Sequence, residues 1–171
     1  YTQMSYILDG KIILYDFDPS NGQITHVNTQ ELPILKQAYS VEFSPDGKHI
    51  YFITGQDNNH PGKLYRADVD ASSGLGTPVL MGSTSGMRGS HLQLAPDGNI
   101  YYAIPKTYGN IGTGKIGRIT DPNNGGVMDN NWYQATKAND CSSCEDQWVN
   151  MDMPTFSKSL IVENPKLLIG G

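Results

Sequence analysis

The sequence predicts an all-β fold: a partial β-propeller of about three blades, each a four-stranded antiparallel sheet, on a repeat of ~52 residues. Two observations carry this expectation. Val41-Glu42-Phe43-Ser44-Pro45-Asp46-Gly47-Lys48-His49-Ile50-Tyr51-Phe52 returns 51 residues later as Leu92-Gln93-Leu94-Ala95-Pro96-Asp97-Gly98-Asn99-Ile100-Tyr101-Tyr102. Independently, Gly10-Lys11-Ile12, Gly62-Lys63-Leu64 and Gly114-Lys115-Ile116 are spaced by 52 and 52. Short strands and tight turns repeating at this length are the mark of a propeller blade. Composition agrees: 10 Tyr and 19 Gly suit strands and turns better than helices.

The first unit, residues 1–38, reads as the back half of a blade, with strands expected over 10–17 and 23–27. The second, 39–89, is complete. An alternating strand over 39–43 meets Pro45-Asp46-Gly47, where Pro presets φ and Gly accepts a positive φ. Further strands follow over 50–54, 63–70 and 77–81. The third unit, 90–137, repeats this over 91–94, 99–104, 115–120 and 132–136. Residues 138–171 read as an irregular loop holding both cysteines, then the start of a further blade at Met153-Pro154-Thr155-Phe156. Propellers close as rings of about four to eight blades. The expectation is therefore a fragment of one larger propeller domain, completed by more chain or by neighbouring chains; the competing reading is a compact three-sheet prism or an open stack.

The net charge of -5 and the scattered Lys and Arg leave no basic footprint, so nucleic acid is not expected as a partner. No run of 18 apolar residues exists to span a membrane.

The strand pair from Tyr39 to Tyr51, followed by Lys63-Leu64-Tyr65-Arg66-Ala67-Asp68, resembles the WD40-like, YVTN-type β-propellers of secreted bacterial proteins. Leu92 to Tyr101 and Ile119-Thr120-Asp121-Pro122-Asn123 are similar, more narrowly, to the propeller region of cell-surface proteins of Bacteroidota, of the gliding-motility-associated type. Met153-Pro154-Thr155-Phe156 departs from the Leu-Pro-Asn-Phe of that region at two of four positions. The resemblance spans roughly residues 39 to 156. It implies an exported, extracellular or surface protein and no particular reaction, because propellers carry many activities.

Several motifs are weighed against plainer readings. Gly109-Asn110-Ile111-Gly112-Thr113-Gly114-Lys115 has the outline of a phosphate loop, yet Ile116 stands where Ser or Thr must hold magnesium. Asp16 and Asp18 with Ser20-Asn21-Gly22, and their copies Asp68 and Asp70 before Gly74, have the outline of a calcium loop. A true loop of that kind places Gly sixth and Glu twelfth, whereas Gly22 is seventh and Val27 twelfth. Turn capping explains the same residues, and calcium is the one cofactor left open. In an exported protein Cys141 and Cys144 are expected as a local disulfide, with a reduced, inert pair as the alternative. Asp140, Glu145 and Asp146 surround them with negative charge that opposes a reactive thiolate.

The functional expectation is a non-catalytic binding or scaffold module that contacts protein or glycan through rim loops. Trp132, Tyr133 and Trp148, beside amide side chains, are the candidate contacts. The alternatives are a propeller hydrolase or lyase with channel-lining residues around Tyr39, Glu42, His91 and Gln93, and a structural subunit of a surface assembly.

Overall fold

The computed structural model describes residues 2–8, 11–31, 38–54, 62–70, 74–83, 91–104 and 115–134. These residues are all-β. The first sheet holds β1 (Thr2–Leu8), β2 (Lys11–Asp18) and β3 (Gln23–Glu31), in that order. The second runs β4 (Ala38–Phe43), β5 (His49–Thr54) and β6 (Lys63–Asp70), with β7 (Gly74–Leu75) and β8 (Val79–Ser83) one after the other along the far edge of β6. The third orders β9 (Leu92–Leu94), β10 (Ile100–Ile104), β11 (Lys115–Thr120) and β12 (Val127–Gln134). Every pairing among these strands is antiparallel.

Expected strands over 63–70 and 115–120 fall where β6 and β11 lie. Three differences have physical causes. β1 pairs along the whole of β2, so the first sheet has a second-strand equivalent that the repeat motifs did not place. The fourth strand of the second sheet is split into β7 and β8: Gly76 N–H still donates to Asp68 O at 2.8 Å, and the ladder breaks at Thr77-Pro78, where proline has no N–H to give. β12 starts at Val127, earlier than expected, because Gly125 and Gly126, at φ 95 and 68, turn the chain straight back along β11.

The sheets stack face to face through two apolar layers. Ile12 and Leu14 of β2 meet Ile50, Phe52, Tyr65 and Ala67 of the second sheet. On the opposite face of β5 and β6, Tyr51, Ile53 and Leu64 meet Leu92, Ile100, Tyr102 and Ile119 of the third. Period-two alternation thus sends successive residues of β5 into different layers, which is why His49–Thr54 reads as a nearly continuous apolar run. The first strands β4 and β9 are neighbours across the stack, and so are β8 and β12.

Large and small residues alternate between the layers. Tyr65 stacks on Phe52 with ring centroids 5.3 Å apart. At the corresponding place in the third sheet Gly117 stands where a Cβ would collide with the Tyr102 ring. The larger Tyr102, fully buried, fills the space that Tyr65 occupies in the other repeat.

Candidate functional site

The polar chemistry among the described residues gathers at the rim where the second and third sheets meet. Pro45-Asp46-Gly47 makes the tight turn expected of it. Gly47 sits at φ 70, Gly47 N–H donates to Ser44 O at 2.9 Å, and Ser44 Oγ donates to Asp46 Oδ1 at 2.7 Å. The Ser44 hydroxyl, above all, holds the Asp46 carboxyl below its usual range. The third sheet builds the same turn, with Gly98 at φ 81. There the Tyr101 hydroxyl donates to Asp97 Oδ2 at 2.6 Å, and Asn99 donates from both its backbone and its side chain. Burial pushes the Asp97 carboxyl up, yet the Tyr101 and Asn99 bonds outweigh it and leave the group below its ordinary value.

Onto the second sheet's turn docks the connection between β11 and β12. Asp121 takes a left-handed conformation at φ 50, and Pro122–Asn124 form one 3-10 turn. Four contacts hold it. Tyr51 donates its buried hydroxyl to Pro122 O at 2.7 Å, and the Asp46 N–H donates to Asn123 Oδ1 at 3.1 Å. His49 places Nε2 3.0 Å from Asn123 O and Nδ1 2.9 Å from Asp68 Oδ1. Arg66 lies so close over Gly125 that any Cβ there would meet its guanidinium. Burial pushes the Tyr51 phenol up to about 12, so its proton stays on the hydroxyl through the neutral range.

A second set of bonds ties the inner strands. Buried Ser40 accepts the Leu92 N–H on Oγ at 2.9 Å. Glu42 accepts the Phe43 N–H on Oε1 and the Leu94 N–H on Oε2, both at 3.0 Å. Leu92 and Leu94 turn these N–H groups away from β10, on the edge of β9 that no described strand covers. The two β4 side chains therefore satisfy backbone donors that an edge strand leaves open.

The sequence-marked residues divide accordingly. Glu42 and His91 lie on or beside neighbouring strands, as β4 and β9 adjoin, but both carboxylate oxygens of Glu42 are turned onto backbone N–H groups. His91 is exposed at the start of β9. Asp18 caps its own turn, accepting Ser20 N–H, Ser20 Oγ and Asn21 Nδ2. Asp16 sits in β2 opposite Thr25. Asp68 pairs with His49, and Asp70 lies opposite Gly74 at the end of β6. The two Asp-x-Asp copies therefore carry different duties. Trp132 packs edge-on against Tyr101 at 4.7 Å, with Arg118 5.5 Å above its ring. Lys115 opens a strand rather than a helix, and its Nζ donates to Asn131 Oδ1 at 2.7 Å. Tyr133 falls within β12. Cys141, Cys144 and Trp148 lie outside the described residues.

Sequence reasoning did not single out Ser40, Tyr51, Arg66 or Asn123. The available signal was the repeat itself: Ser40 and Leu92 are 52 residues apart, and so are Arg66 and Arg118. Comparison with protein-family profiles finds no match, and comparison with curated proteins finds none either.

Proposed function

We propose that the stacked sheets are consecutive blades of a β-propeller and that the chain is a non-catalytic binding or scaffold module of an exported bacterial surface protein. Its contacts run through rim turns and an apolar sheet face, and its partner is a protein rather than a glycan. The observation that carries this reading is the outward face of the first sheet. Ile12 and Leu14 point into the core, so Ile13, Tyr15 and Phe17 point out, and each is half-buried. Ile24, opposite Phe17, is 54% exposed, and His26 completes the face edge-on to Tyr15 at 5.8 Å. A contiguous face of this kind is a place where another surface packs. Two further facts support the reading. Glu42 serves β9 rather than a substrate, and the Trp132 ring is engaged by Tyr101 and Arg118 rather than offered flat to a sugar.

The test is binding of the intact chain to protein and glycan arrays, beside the double variant Tyr15→Glu, Phe17→Glu. Capture on protein features that the double variant loses at an unchanged melting temperature supports the reading. Capture that survives in the double variant, or capture confined to glycans, refutes it.

A further inference from the structure

We propose that His49 is a proton-operated latch between the second and third sheets: protonated, it ties Asp68 to the β11–β12 turn, and neutral, it holds only one of the two. The argument is one of donors and acceptors. Nδ1 faces a carboxylate oxygen at 2.9 Å and Nε2 faces a backbone carbonyl at 3.0 Å. Neither oxygen carries a hydrogen, so both bonds need a hydrogen on the ring. Imidazolium has two N–H groups and neutral imidazole has one. Loss of the proton turns a nitrogen lone pair toward an oxygen lone pair; the one remaining N–H stays with the Asp68 carboxylate, the stronger acceptor, and the Asn123 carbonyl is given up.

The charged groups around the ring come from three elements. Asp68 and Arg66 face it from β6, with Arg66 Nε 3.9 Å from Asp68 Oδ1. Its own turn brings Asp46 and Lys48, themselves 3.9 Å apart, and the docked turn brings Asp121. The His49 side chain is only 17% exposed, so water does not simply replace a lost partner. The device belongs to this one interface: the matching turn of the third sheet is a residue shorter and runs from Asn99 straight to Ile100, with no histidine.

What the latch holds is local. Asn123 is clamped through its carbonyl by His49 and through its side chain by the Asp46 N–H. The turn around it is closed by the Asn124 and Gly126 N–H groups, both donating to Asp121 O at 3.1 Å. Mild acid tightens this rim and mild base loosens it, while the Glu42–Leu94 tie, which contains no histidine, stays as it is.

Amide hydrogen exchange on the intact chain at pH 5.5 and 8.0, corrected for the intrinsic rates, reads this directly. Protection of Asn124 and Gly126 is expected to drop roughly tenfold at the higher pH, the worth of one hydrogen bond to a charged partner. Leu94 serves as the unchanged reference. In His49→Gln the drop is expected to vanish. Asp68→Asn is the sharper variant, because its amide can donate to a neutral ring nitrogen. It is expected to keep the rim protected at both pH values, and Asp68 is 70% exposed, so the fold tolerates the change. Equal protection of the wild-type turn at both pH values overturns the proposal. So does a drop that persists in Asp68→Asn.

Discussion

Replacing Glu42 by glutamine removes a charge and almost no volume, so it isolates what the carboxylate does. In the native chain its two oxygens each accept one backbone N–H, from Phe43 and from Leu94, at 3.0 Å. Glutamine keeps one acceptor and turns the other into a donor. Whichever way the amide is placed, one backbone N–H then faces another N–H. A hydrogen bond to a charged group is worth about 1.5–3 kcal/mol, and the half-buried rim admits water, so the expected loss is near the lower end, about 1.5 kcal/mol. For a chain of this length that is a fall in Tm of roughly 3–6 °C. The local readout is sharper: Leu94 amide exchange should speed by about tenfold, while amides at the centre of β5 keep their rates. Calorimetry and exchange-detected NMR on the same samples measure both. An unchanged Leu94 rate at an unchanged Tm would refute the capping role and leave the carboxylate free for chemistry.

Two other predictions follow from the same geometry. Asp97 has its carboxyl held below the ordinary 3.8, so its bonds to Tyr101 and Asn99 contribute stability above that pH and lose it as pH falls through the folded value; Asp97→Asn should therefore flatten the acid limb of a Tm profile from pH 5 to 2.5, and a limb as steep as the wild type's contradicts the assignment. Gly117→Ala pushes a methyl into the Tyr102 ring and should cost about 1–3 kcal/mol by overpacking, read as a lower urea midpoint with an unchanged m-value.

The fold was more legible in the sequence than the site. Repeating turns announced themselves because Pro-Asp-Gly demands a positive φ that only Gly takes cheaply, and Gly47 and Gly98 take it. Strands β6 and β11 were legible because apolar alternation after Gly-Lys is a local property. β1 was not, since Thr2–Leu8 lacks the repeat motifs and becomes a strand through its pairing with β2. The inter-sheet bonds were illegible for a different reason. Ser40 reaches Leu92 and Glu42 reaches Leu94 because β4 and β9 are offset by a particular amount, and that offset is a tertiary quantity with no local signature. His49 is one of four histidines with no shared position in the repeat, and only the β11–β12 turn, distant in sequence, gives its Nε2 a partner.

The way the sheets stack bears on what the chain does. In the contact between first and second sheets, β2 offers Ile12 and Leu14 and β6 answers with Tyr65 and Ala67. In the next contact β6 offers Leu64, the repeat partner of Ile12, from its opposite face, and β11 answers with Ile119, the repeat partner of Ala67. Each interface thus joins unlike faces, and a contact between unlike faces does not use itself up: every added sheet presents the face that the next one needs. Such a series stops in one of three ways, by closing into a ring, by a polar outer face, or by a partner. The first sheet's outward face, with Ile13, Tyr15, Phe17 and a 54% exposed Ile24, is not polar. Ring closure and a bound partner remain, and on the proposed reading either one makes this face a contact surface.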